Sequence, residues 1–206
     1  MSTPQPNVAI DTVPVIFDRE NGLQTIVAPR QFEPYLGDLA LPGVLLLGGE
    51  SVLEAGQRAL RVKAEVLHAE FVQTLGVYDD PGRDPRSTTL TIAQLFAMAA
   101  DSEFASEAER ISFIAPPKLP FDHTRIVEAA APTIGSLLDQ NPDFVKSTLG
   151  EVFTTGDMAK ALESVGAIFN AANLARTLAN KGWLEKAGRA PRAGAGRPAT
   201  SWRVVA

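Results

Sequence analysis

The stretch LPGVLLLGGESVLEAGQRALRVKAEV, residues 41–66, constrains the fold most tightly. Val44 to Leu47 is a short apolar run of strand type. Gly48-Gly49-Glu50-Ser51 then reverses the chain, and Leu53, Leu60 and Val66 recur at helical spacing. The result is a strand, a tight turn and a helix, Val52 to Val66, which is an arrangement suited to holding a phosphate. A divalent cation serving a pyrophosphate also needs several carboxylates on one face, and on a helix that means acids three or four residues apart. The positions where they would converge are Ala59, Val62 and Lys63. Glu54 and Glu65 share a helix face, but their eleven-residue separation in sequence spans roughly 16 Å of helix rise, too far for one or two adjacent ions.

The flanking segments supply the sheet. VAIDTVPVIF (8–17) and LQTIVAP (23–29) alternate around the turn residues Asp18 to Gly22, the pattern of a β-hairpin. LTIAQLFAMAA (90–100) and RISFIA (110–115) read as further strands, and with the Val52–Val66 helix they make an α/β core with a mixed sheet. After the Pro-rich connector APPKLP, FDHTRIVEAAAPTIGSLLDQ is helical, with Asp122 as its N-cap and a kink or break at Pro132. A boundary near Asn141-Pro142 divides the chain into residues 1–141, including a linker helix over about 122–140, and residues 142–206. With 206 residues and 45% hydrophobic content, one core plus a small second domain can be filled.

Charge separates the same two regions. Residues 171–206 hold seven basic residues and one acid, a net +6, against −11 for the 170 residues before them. A basic end on an acidic body seeks a polyanion; a solvated basic tail is the alternative. Thr154-Thr155-Gly156-Asp157 opens a helix with a capping box, and Met158, Leu162, Val165 and Phe169 recur along it. A break at Gly166 to Asn170 leads into NAANLARTLANKGWL. There Ala171, Leu174, Ala175 and Leu178 form a packing stripe, opposite Asn173, Arg176, Thr177 and Asn180, with Lys181-Gly182 as the C-cap. WLEK, the basic loop AGRAPRAGAGRPAT and SWRVV then read as a hairpin whose core holds Trp183 and Trp202. Helix, turn, helix and basic hairpin is the winged helix-turn-helix order, in which the second helix enters the major groove. Thr155, Asn170, Asn173, Arg176, Thr177, Lys181, Arg189, Arg192 and Arg197 are the candidate DNA contacts. Asn and Arg suit base edges, and basic residues of the hairpin suit phosphates. A helical docking domain with a basic loop is the other reading of this segment.

Residues 41–66 resemble the Nudix box: Gly, five residues, Glu, seven residues, Arg-Glu-apolar-any-Glu-Glu-any-Gly-apolar. Aligned on LPG and GES, Glu50 and Arg58 match; the leading Gly falls on Val44, and three later Glu positions fall on Ala59, Val62 and Lys63. DDPGRDPRSTTLTIAQLFAM (79–98) resembles the segment after that box in proteins related to ADP-ribose pyrophosphatases. FDH at 121–123, FTTGDMAKALESV, the Asn173 helix and GRPATSWRV resemble the end of the Nudix-related transcriptional regulators of the NrtR type. The resemblance runs from Ala9 to Val204, and its specificity lies in the order of these strings. It implies an α+β chain with a Nudix-like α/β/α sandwich of mixed sheet, followed by a winged helix-turn-helix. It also implies a homodimeric repressor of NAD-metabolism genes that binds operator DNA and senses ADP-ribose or a related nucleotide, without a cofactor or a metal. With three box acids replaced, the reading is a receptor that holds its ligand intact. An active ADP-ribose pyrophosphatase with an accessory domain is the alternative, and a nucleotide sensor docking to protein is a third.

The candidate effector contacts are the cations Arg30, Arg58, Arg83 and Arg86, whose planar forks match a pyrophosphate, with Glu50 and Asp84. Structural pairings remain open for each: Arg58 with Glu50 or Glu54, and Asp84 with Arg83 or as a cap of its loop. His123 reads as a packed linker residue. The absence of Cys excludes disulfides, thiolate zinc sites and thiol nucleophiles. No apolar run reaches membrane-span length, and MSTPQPN lacks the features of a signal peptide, which points to the cytoplasm.

Overall fold

A computed structural model describes residues 5–189 and 199–205. The hairpin forms as read, with β1 (Asn7–Asp18) antiparallel to β2 (Gly22–Pro29). Asp18 closes the turn by accepting from the backbone N–H groups of Glu20 and Asn21. Three short strands, β3 (Leu39–Ala40), β4 (Gly43–Leu45) and β7 (Glu109–Ser112), add to its edges. On its other side β1 runs parallel to β6 (Thr89–Ala97), which pairs antiparallel with β5 (Phe71–Tyr78) at the sheet edge. This is a seven-stranded mixed sheet.

Alternation along β1 and β2 builds two faces. Ile16, Ile26 and Ala28 pack with Phe96 and Met98 against Leu60 and Ala64 of α1 (Val52–Ala64). Val13, Val15, Phe17 and Val27 face the other way, onto α2 (His123–Gln140) and the residues beyond it. Burial of each such side chain contributes roughly 1.5–3 kcal/mol. The sheet between helical layers is an α/β/α sandwich.

Helix α1 begins at a full capping box between Ser51 and Glu54, and Glu65 ends it in the left-handed region. Of the kink or break expected at Pro132 in α2, no break occurs: the helix runs through Pro132, which lies on the exposed face together with Glu128, the residue whose carbonyl loses a donor. Asp122 makes no capping bond, since Arg83 takes its carboxylate.

An additional helix, α3 (Pro142–Leu149), follows at once, capped by Asn141 with Pro142 in its first turn. It lies against β1, β5 and β6, with Phe144 edge-on to Phe71 at 5.4 Å. A single apolar cluster therefore runs from Val13 through Ile134 to Phe144, Met158 and Trp202, across the boundary expected near residue 141.

The remaining chain forms β8 (Val152–Thr154), α4 (Thr155–Ser164), a 3-10 turn over Ala171–Asn173, α5 (Leu174–Ala179), β9 (Leu184–Arg189) and β10 (Thr200–Val204). The three strands make an antiparallel sheet in the order β8-β10-β9. The capping box of Thr154 and Asp157 forms as read. The packing stripe of the next helix is narrower than expected: Leu174 and Leu178 are buried, while Ala171 and Ala175 are exposed. A helix of under two turns lays down one i, i+4 ridge, and Ala171 falls in the 3-10 turn outside it.

Candidate functional site

A cleft of about 380 Å³ opens between β2, β4, the end of α1, the loop at residues 83–87 and the start of α2. Inside it lies Arg83, whose side chain is only 4% exposed. It donates to Asp11 at 2.9 Å and to both oxygens of Asp122 at 2.6 and 3.0 Å. Asp11 is seated there because residue 43 is glycine: a Cβ at Gly43 would lie 2.2 Å from its Oδ1. Burial works to raise the Asp11 carboxyl, but the neighbouring His123 and Arg83 outweigh it and bring the group down to about 2.

His123 completes this cluster. Its Nδ1 accepts from the Leu41 N–H at 3.0 Å, so the ring proton sits on Nε2, which faces Asp11 at 3.5 Å. The packed role expected of His123 is met, and it lines the cleft as well.

Phe121 sits at the mouth with φ 56°, a backbone region costly for an aromatic residue. It is held by Tyr35 edge-on at 5.1 Å and by His123 at 5.3 Å. The Arg30 guanidinium lies 4.6 Å from its ring centre and that of Arg86 5.9 Å. Arg30 donates to the carbonyls of Pro34 and Phe32. Burial, and then the like charge of Arg86, pull Arg30 below its ordinary value. Arg86 is clamped by Asp84 through two side-chain bonds, at 2.7 and 2.9 Å.

Of the effector candidates, Arg30, Arg83, Asp84 and Arg86 therefore line the cleft, and Glu50 and Arg58 do not. Those two pair with each other: both Glu50 oxygens accept from the Arg58 fork at 2.7 Å, and Arg58 also donates to the Leu45 carbonyl. The Arg58 fork outweighs burial and holds the Glu50 carboxyl down to about 2, which makes it a poor general base. Its Oε2 also accepts from Leu47 N–H, so the pair fastens the turn before α1. Gly43, Lys63, Phe121 and Asp11 are cleft residues that the sequence reading did not select as ligand contacts.

A divalent cation does not fit these residues. On α1, Ala59 is fully buried, Val62 is apolar and half exposed, and Lys63 lines the cleft. The Glu54 carboxylate is engaged by Ser51. Among the described residues one group of acids and histidine is close enough to share an ion: Asp11, Asp122 and His123. The Arg83 guanidinium already occupies that charge environment, and the His123 lone pair is given to Leu41. A second cation there would meet a fixed one.

The candidates of the carboxy-terminal region differ in exposure and in what they bond. Asn170, Arg176, Thr177 and Asn180 are exposed, and Asn173 is half-buried. The Asn170 side chain caps the 3-10 turn by accepting from Asn173 N–H at 3.2 Å. Thr155 is committed internally, accepting from Trp202 Nε1 at 2.8 Å, and Trp202 is core as expected, whereas Trp183 is half-buried. The Lys181 ammonium bonds Asp139 at the end of α2 and lies 5.5 Å from the Trp183 ring centre. Arg189 ends β9, and Arg192 and Arg197 lie outside the described residues.

A mixed sheet between helices, with a cationic cleft at the end of the box helix, defines a protein of the Nudix fold class. It is similar to a MutT/nudix family protein from Enterococcus faecalis, at TM-score 0.75 and 18% identity, over 98% of this chain and 89% of that one. It is equally similar to Shewanella oneidensis NrtR complexed with a 27mer DNA, at TM-score 0.75 and 20% identity over 96% and 93%. The NUDIX domain of that NrtR complexed with ADP ribose matches at TM-score 0.56 and 21% identity, over 64% of this chain and 90% of that one. In sequence, an ADP-ribose pyrophosphatase of Methanocaldococcus jannaschii is 32% identical over 127 residues, 60% of this chain and 72% of that protein. The chain belongs to the family of that ADP-ribose pyrophosphatase, and its fold is the Nudix fold. No family model matches it. Among the described residues no helix is long and apolar enough to cross a membrane.

Proposed function

We propose that this protein is a homodimeric transcriptional regulator, a repressor of NAD-metabolism genes, whose cleft receives ADP-ribose or a related nucleotide without cleaving it. The observation that carries the reading is the residue content of α1 and of the cleft beside it. Where a pyrophosphatase needs converging acids, α1 has the buried Ala59, the exposed Val62 and Lys63, while four cationic side chains, Arg30, Lys63, Arg83 and Arg86, line the cleft. A receptor needs those cations, and a metal-dependent hydrolase needs the acids.

The carboxy-terminal region supplies the output. Helix α4, the turn to α5 and the β9-β10 hairpin follow the winged helix order, and the whole-chain likeness to an NrtR bound to DNA supports that reading. Arg176, Asn173 and Thr177 then read base edges, and Arg189, Arg192 and Arg197 neutralise phosphates. The acidic body and basic tail agree with it. Helix α2 joins cleft to output, since Asp122 at its start bonds Arg83 and Asp139 near its end bonds Lys181. Nucleotide binding shifts DNA affinity only in so far as it favours one placement of α2 over another.

The name of the 32% identical relative supports a second reading, an ADP-ribose pyrophosphatase with an accessory domain. Incubation with ADP-ribose and magnesium separates the two: the regulator returns the nucleotide intact, and turnover at ordinary enzyme rates supports the enzyme. A gel shift with duplex from the promoter of the neighbouring genes tests the output. Arg176→Ala loses preference for that duplex over a scrambled one, whereas Arg197→Ala weakens both alike; the reverse pattern contradicts the assignment of helix and hairpin.

A further inference from the structure

The charges lining the cleft are unequal in kind. Arg83 is neutralised by Asp11 and Asp122, and Arg86 by Asp84. Arg30 and Lys63 form no ion pair among the described residues. Both line the same cleft, and the Lys63 ammonium reaches the segment that follows Arg30: it is 3.4 Å from Oε1 of Gln31 and 5.5 Å from the centre of the Phe32 ring. Neither contact cancels its charge. Arg30 spends N–H groups on the carbonyls of Phe32 and Pro34, which fix its plane and leave other N–H groups of the fork uncommitted.

We propose that Lys63 and Arg30 together take the place of a divalent cation, holding a diphosphate in the cleft by direct contact and making its binding independent of magnesium. A bridging diphosphate carries two negative charges at neutral pH, and the cleft offers two cations without carboxylate partners. Lys63 stands on α1, the helix that a metal-binding cleft would furnish with acids, so the replacement works twice. The ammonium supplies the positive charge and repels a competing ion from the same wall. The inference rests on the receptor reading above for its ligand class, but its chemistry concerns the diphosphate alone.

Calorimetric titration of the full-length protein with inorganic pyrophosphate and with ADP-ribose, each in EDTA, tests it, with ADP-ribose repeated in excess magnesium. Wild type is expected to bind both in EDTA, and ADP-ribose within about twofold as tightly with magnesium. Lys63→Ala loses at least about tenfold in EDTA, Lys63→Arg retains most of the affinity, and Lys63→Glu binds ADP-ribose only when magnesium is added. Lys63 is partly exposed near the end of α1, and far-ultraviolet dichroism checks that each variant keeps its helices. Binding of ADP-ribose that requires magnesium in wild type, or that ignores Lys63→Ala, overturns the inference and leaves the receptor reading standing. Lys63-dependent pyrophosphate binding in EDTA without ADP-ribose binding does the reverse. Binding of neither probe overturns both.

Discussion

Arg83, Asp11, Asp122 and His123 come from three separate segments, and the bonds of Arg83 span 72 and 39 positions in sequence. Removing one partner from a buried pair strands the other's charge, so Arg83→Ala is expected to destabilise the protein by about 3–5 kcal/mol. Chemical denaturation checks this, and a loss below about 1 kcal/mol would show that the cluster is hydrated instead. The Asp11 carboxyl, lowered from 3.8 to about 2, binds a proton more readily in the unfolded chain than in the folded one. Its contribution is therefore fully present above pH 4 and is lost as pH falls from about 4 to about 2. Asp11→Asn should flatten that part of the acid-stability curve. These partnerships are why the site was only half legible beforehand. Composition places Arg83 among the cations open to an anion, but a carboxylate 72 positions away leaves no local sign. Glu50 and Arg58, eight positions apart, are legible as a possible pair, yet nothing local indicates that the pair lies outside the lining of the cleft.

Among the elements, those with punctuation at both ends were readable. The β1-β2 hairpin follows from alternation around Asp18 and Gly22, and α4 from the Thr154 capping box. Strand β5 is not legible in the sequence: a bulge between Thr74 and Gly76 shifts its register, and as the sheet edge it is buried only in part. Helix α3 is hidden in the sequence although Asn141 and Pro142 are a fair start signal, because that dipeptide also reads as a linker. Helix α4 packs on the sheet, and its last residue closely approaches the β1-β2 turn. Ser164 Oγ accepts from the Leu23 N–H at 2.8 Å, and a Cβ on Gly22, where φ is +79°, would lie 2.5 Å from Ser164 Cβ. Gly22→Ala should cost about 2–4 kcal/mol through strain and overpacking. A lowered denaturation midpoint with an unchanged slope checks it; wild-type stability would mean that the hairpin and α4 do not approach in solution.

For the whole molecule, the division between an acidic body and a basic end was plain from charge counts, since these need no contact information. If phosphates are met by the tail, affinity for duplex falls steeply with salt; contacts to about five phosphates give a slope near −4.5 in a plot of log affinity against log salt. A slope near zero would remove the hairpin arginines from the interface. Under the proposed function one molecule joins a nucleotide receptor to a DNA-binding surface, and fluorescence anisotropy of the promoter duplex, titrated with protein with and without ADP-ribose in EDTA, tests that junction most directly. The predicted result is a shift of at least about tenfold in Kd for the duplex when ADP-ribose is added, a coupling of about 1.4 kcal/mol. Identical curves, or no binding of the duplex in either, would contradict it.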